Sequence, residues 1–118
     1  MISTLLSRLR IWDGEHPHTG DAILVQGERI AAVGSSDELS ADTTVDCSGL
    51  TALPGLIDAH VHMELNPDDR LPPAQTDLSV AAKARMRERA EAMLEAGITT
   101  ARDLGGGAWL ELTLRDAI

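Results

Sequence analysis

Two of the chain's histidines, His60 and His62, stand one residue apart at the end of the apolar run "LPGLIDAHVH". On an extended strand, residues i and i+2 project from the same face, so the two imidazoles point the same way and lie near enough to grip one ion. Neutral imidazole is a good ligand for zinc and similar divalent metals. The bland alternative is a pair of packed or solvent-facing rings. The strand end, the apolar approach and the preceding Pro54-Gly55 turn together favour a metal. Asp58 shares the face of His60, two residues deeper. It either orients an imidazole or bonds to backbone or a neighbouring loop. Glu64 keeps the same parity but falls beyond the expected strand end, and reads as a solvated loop residue rather than a ligand. Asp103 ends a later strand beside Gly105, Gly106 and Gly107. It is a candidate to contact substrate or to support the metal ligands, with a helix-capping carboxylate as the alternative. No residue identifies itself as the catalytic base.

Other chemistry-bearing residues read more plainly. His16-Pro17-His18 repeats the H-x-H spacing, but in a polar loop where nothing fixes ring geometry, so exposure is expected. The glycine triplet before a helix suggests a phosphate cradle. Leu110 stands where a dinucleotide fingerprint needs its third glycine, however, and no G-K-[ST] follows, so a flexible loop is the better reading. Cys47, the only cysteine, cannot form an internal disulfide and reads as a small core residue.

The elements that must position these groups follow from pattern. Residues 3–12 read as one strand, and 13–20, punctuated by Gly14, Pro17 and Gly20, as a loop. Two β-rich runs within 22–34 flank Gln26-Gly27-Glu28, a hairpin signal with Gly27 free to take positive φ. Residues 44–54 give one or two short strands. These first strands look antiparallel. After Pro54 the pattern changes. "GLIDAHVHM" is a nearly continuous apolar strand of the kind buried on both faces in a parallel sheet. A Pro- and Asp-rich loop follows, from residue 66 to residue 77. "LSVAAKARMRERAEAMLEAG" is a helix of about five turns, because Ala82, Met86, Ala90 and Met93 form one apolar stripe. Asp77 or Ser79 is positioned to cap its start, and Gly97 occupies a C′ position. Arg87 and Glu91 belong to its solvated face. Residues 98–104 are a β-branched strand, and "AWLELTLRDAI" is a second helix. The fold class is therefore α/β: a set of strands over 1–53, then β–α–β–α over 54–118. Such βαβ units build parallel sheets or barrels, which place their chemistry at the C-terminal ends of the strands, where His60, His62 and Asp103 fall.

Composition narrows the partners. The chain has 118 residues, 43% hydrophobic and 25% charged, with no Phe or Tyr, so a modest core must be built from aliphatic side chains and Met. The formal charge of −9 repels phosphate backbones and anionic lipid, so neither nucleic acid nor a membrane surface is an expected partner. The apolar start is interrupted by Arg8 and Arg10 and does not read as a signal peptide. No run approaches a membrane span. Cytoplasmic location is the default expectation.

"PGLIDAHVH" resembles the first-strand motif of the amidohydrolase superfamily, metal-dependent hydrolases with a (β/α)₈ barrel. "GDAILVQGERIAAVG" is similar to the N-terminal β-sandwich hairpin of that family. "LEAGITTARDLGG" resembles the helix and second barrel strand of its imidazolonepropionase-like and prolidase-like branch. The resemblance implies that residues 1–53 are part of a small β-sandwich and 54–118 the first two βα units of a TIM-type barrel. It implies that His60 and His62 are ligands of one or two divalent metal ions, zinc above all, and that a small-molecule amide, cyclic amide or dipeptide is hydrolysed. The family's remaining ligands are a lysine on the fourth barrel strand, histidines on the fifth and sixth, and an aspartate on the eighth. They have no counterpart here; Lys83, the only lysine, sits mid-helix. The expectation is an N-terminal segment that alone should not form a competent catalyst. It would be joined by a complementary C-terminal segment or by further copies of itself. The alternatives from other classes are a catalytically silent fragment that associates through unpaired strand edges and a stand-alone metal-binding module.

Overall fold

The structure, a computed structural model, describes residues 2–65, 80–106 and 109–118. The chain divides into two compact units, Met1–Pro54 and Gly55–Ile118.

The first unit holds six strands: β1 (Ser3–Ser7), β2 (Arg10–Ile11), β3 (Ala22–Gln26), β4 (Arg29–Gly34), β5 (Thr43–Asp46) and β6 (Thr51–Ala52). One sheet runs in the order β4-β3-β1-β5, and β2 pairs with β6 in a second. The β3–β4 hairpin forms as its turn chemistry predicts: Gln26 pairs with Arg29, and Gly27 takes φ 59°, a conformation natural to glycine. Two expectations fail. Residues 3–12 are not one strand. Arg8 adopts φ 60°, which breaks the ladder after Ser7. Leu9 and Arg10 then bond elsewhere, to the carbonyls of Asp21 and Leu50. The strands are not all antiparallel either: β5 runs parallel to β1, and β6 parallel to β2. These pairings join segments about forty residues apart, a distance at which local pattern carries no directional signal. Leu9, Ile11, Ile23 and Cys47 form the core, with Leu6, Val25 and Ala52 packed against it. Cys47 is thus the small buried residue expected. Two carboxylates tie the unit's loops. Asp42 accepts from the Ser3 backbone N–H at 2.7 Å and the Ser3 hydroxyl at 2.8 Å. Asp21 accepts from the N–H and hydroxyl of Ser36 at 2.7 and 2.9 Å. Bonds to the ionised form hold both carboxyls below their ordinary pKa, the backbone N–H contributing most in each case.

The second unit is β7 (Leu56–Val61), α1 (Val80–Glu95), β8 (Ile98–Asp103) and α2 (Leu110–Arg115), with β7 and β8 parallel. The predicted stripe of α1 forms its core side: Ala82 and Met86 are buried with Met63 and Leu110, and Ala90 and Met93 pack against them. Gly97, at φ 85°, follows α1 in the left-handed conformation of a C′ glycine. The capping candidates Asp77 and Ser79, and the loop before them, lie outside the described residues. The strand bearing the histidines does not have two buried faces: Leu56 is 53% exposed and Ile57 73%. Burial on both faces needs strands on both edges and a layer over each face, and among the described residues β7 pairs only with β8. The second helix is shorter than its pattern, because Trp109 sits at φ 59° and cannot join it. Among the described residues no helix is long and apolar enough to cross a membrane.

Candidate metal centre

β7 ends at Val61, whose carbonyl accepts from the N–H of Leu104 at 3.0 Å, so the two parallel strands are tied where their side chains emerge. At that end the rings of His60 and His62 converge. Their Nε2 atoms are 3.3 Å apart, the ring centroids 5.2 Å, and the planes cross at 70°. Both residues are exposed. The Nδ1 of His62 lies 2.7 Å from the carbonyl oxygen of Gly105. A carbonyl only accepts, so Nδ1 carries the proton and Nε2 keeps its lone pair. That is the tautomer a metal ligand needs, held by the kind of backbone contact that commonly orients such ligands.

The pair suits a tetrahedral ion. Zinc–nitrogen bonds of about 2.0–2.1 Å at a tetrahedral angle separate two nitrogens by about 3.3–3.4 Å, and the Nε2 atoms stand 3.3 Å apart. Imidazole nitrogen is also the right donor for zinc. The set is partial: among the described residues no group of three or more His, Cys, Asp or Glu converges to hold a metal.

The other candidates act on backbone. Asp58 accepts from the backbone N–H of His60 at 3.0 Å. Asp103 accepts from the N–H of Met63 at 3.1 Å and from that of Gly105 at 2.7 Å. Glu64 corrects the sequence reading. It is only 7% exposed, and a Cβ at Gly106 would come within 2.4 Å of its carboxylate, so the glycine is required where the loop crosses it. The chain bends at Met63 and Glu64 instead of running on into solvent.

Sequence reasoning also missed two contributors. Gly105, at φ 82°, aims its carbonyl at His62; the density of glycine after β8 was its only signal. Arg89, on α1, donates through Nη1 to the carbonyls of Met63 and Leu65, just past the histidine pair. An arginine inside a charged run gives no sign of that role. Gly107, the last of the triplet, lies outside the described residues.

His16 and His18 are exposed, as expected of their loop. His18 Nδ1 accepts from the N–H of Gly20 at 2.9 Å. Asp13 caps the same loop, accepting from the N–H groups of His16 at 2.7 Å and Glu15 at 2.8 Å. Those two bonds lower its pKa, that from His16 most. Arg87 and Glu91 pair at 3.2 Å on the exposed side of α1.

Known proteins resemble the chain along most of its length. Residues 51–116 match the model of the amidohydrolase family, and residues 22–42 that of an imidazolonepropionase-like composite domain of bacteria. An imidazolonepropionase of Paenarthrobacter aurescens is 42% identical over 62 residues, which are 51% of this chain and 15% of the relative. A D-aminoacylase of Alcaligenes xylosoxydans xylosoxydans is 53% identical over 38 residues, 32% of this chain and 8% of the relative. Among solved structures, a prolidase complexed with N-methylphosphonate-L-proline superposes with a TM-score of 0.75 at 28% identity, covering 98% of this chain and 29% of that one. A Xaa-Pro dipeptidase with methionine bound in its active site superposes with a TM-score of 0.72 at 25% identity, covering 98% and 30%. The chain thus spans less than a third of the length of each of these relatives.

Proposed function

Since the chain belongs to the amidohydrolase family, we propose that it is the metal-holding N-terminal part of a hydrolase that cleaves a C–N bond in a small molecule. The substrate class is an amide, cyclic amide or dipeptide, in keeping with relatives named imidazolonepropionase, dihydroorotase and prolidase. In this reading residues 1–53 are the β-sandwich portion, and β7-α1-β8-α2 opens a (β/α)₈ barrel whose cytoplasmic enzyme acts at the C-terminal ends of its strands.

His60 and His62 are the two first-strand ligands, and zinc is the metal their donor set favours. The observation that carries this is the convergence of two Nε2 atoms to 3.3 Å, with the proton of His62 held on the far nitrogen. Held by His60 and His62, a zinc ion would supply Lewis-acid chemistry, activating water and polarising a scissile carbonyl. The chain's own residues supply the frame. Asp58 fixes the backbone at His60, and Arg89 holds the carbonyls that follow His62. A catalytic zinc usually takes three protein ligands, and among the described residues the histidine pair supplies two.

The test is a zinc titration of the pure 118-residue protein, with hydrolysis of Xaa-Pro dipeptides and cyclic amides followed in parallel. One zinc ion should bind per chain, the site should be lost in His60→Ala, and no turnover should appear. Zinc binding indifferent to His60→Ala would remove the proposed site. Turnover by this chain alone would overturn the incomplete-site argument.

A further inference from the structure

We propose that Asp103 is the positioning residue that selects the metal-binding tautomer of His62, acting through the carbonyl of Gly105. The inference rests on the reading of His62 as a metal ligand, and it adds how that ligand is prepared.

The chain of contacts is continuous. Asp103 is the last residue of β8, and its two carboxylate oxygens bond in two directions. Oδ2 accepts from the N–H of Met63, the residue after His62, at 3.1 Å. Oδ1 accepts from the N–H of Gly105 at 2.7 Å. One side chain therefore ties the segment after β7 to the segment after β8. Held this way, with Gly105 at φ 82°, the Gly105 carbonyl meets His62 Nδ1 at 2.7 Å. A bare backbone carbonyl on a loop would wander; a carbonyl one peptide from a two-way carboxylate strap does not. The carbonyl accepts, so the ring proton stays on Nδ1 and the Nε2 lone pair is left for a cation.

Steric space does not explain Gly105. Among the described residues a Cβ there would meet only Glu111 Oε1, at the ordinary contact distance of 3.8 Å. The requirement is the left-handed backbone, which other residues rarely adopt. Gly105→Ala therefore disturbs the carbonyl's direction with little crowding, and Asp103→Asn removes one of the two acceptors while keeping the side chain's shape.

The experiment reads the His62 ring nitrogens by long-range ¹H–¹⁵N correlation in the metal-free, full 118-residue protein, at a pH where the rings are neutral. The wild-type ring should be entirely in the Nδ1–H form. Asp103→Asn and Gly105→Ala should each show a mixture with the Nε2–H form. Each should also bind zinc about 10–100-fold more weakly, the range for loss of a supporting contact to a metal ligand. An Nε2–H ring in the wild type overturns the proposal, and this reading needs no variant to fold. So does a variant, folded by circular dichroism, that keeps the Nδ1–H form. Failure of the wild type to bind zinc with an Nδ1–H ring that loosens in Asp103→Asn would sink the metal reading and leave the positioning role intact.

Discussion

The chain carries the same three-residue spacing twice, as His16-Pro17-His18 and as His60-Val61-His62, and the two are opposite in chemistry. In the loop, His18 Nδ1 accepts from a backbone N–H, so its proton sits on Nε2 and its lone pair is already engaged. At the strand end, His62 Nδ1 donates to a backbone carbonyl and leaves Nε2 unprotonated, an acceptor 3.3 Å from the Nε2 of His60. Spacing puts two imidazoles within reach of each other. The backbone partner on the far nitrogen sets which ring nitrogen carries the proton.

The largest test of this contrast is removal of the rings. His60→Ala or His62→Ala should weaken zinc binding by more than the roughly 100-fold that loss of a supporting contact costs. His16→Ala and His18→Ala should leave the binding isotherm unchanged, and equal losses from both pairs would erase the distinction. The strand pair also stands on a core, because Met63 directly after it packs with Met86, which is 1% exposed. Met86→Ala should cost about 2–5 kcal/mol in denaturant unfolding, as cavity-forming changes in cores do. Gly106→Ala should cost about 1–3 kcal/mol by the same measurement, the range for an overpacked site, since its Cβ would fall 2.6 Å from that of Glu64.

The smallest effect belongs to the loop pair. Two backbone N–H groups bond the Asp13 carboxylate, so its folded pKa lies below the ordinary aspartate value of 3.8. Its contribution is present above 3.8 and is lost as pH falls through the depressed folded value. The Asp13 carboxyl ¹³C resonance should titrate with a midpoint below 3.8, and the amide shifts of Glu15 and His16 should follow it. A midpoint at or above 3.8 would mean that the cap does not hold the loop in solution.

What the sequence made legible is what rests on local chemistry. The β3–β4 hairpin follows from Gly27, the core face of α1 from four apolar residues at helical steps, and the helix end from Gly97. The histidine pair was visible because i and i+2 share a face. Non-local events were hidden. The break at Arg8 puts a non-glycine residue at positive φ, against its preference. The parallel partners of β5 and β6 are chosen across some forty residues. The apolar run of β7 predicted a strand buried on both faces, but Leu56 and Ile57 stand open among the described residues. At the site, the decisive partner of His62 is a main-chain carbonyl, which has no letter in a sequence. Arg89 and Glu64 were likewise masked by neighbours that looked like ordinary surface.

The most direct measurement is long-range ¹H–¹⁵N correlation of all four histidine rings during a zinc titration of the intact chain. The Nε2 resonances of His60 and His62 should shift together and saturate at one zinc ion per chain, while His16 and His18 stay still. Independent movement of His60 and His62, or four rings responding alike, would contradict a shared cation at the end of β7.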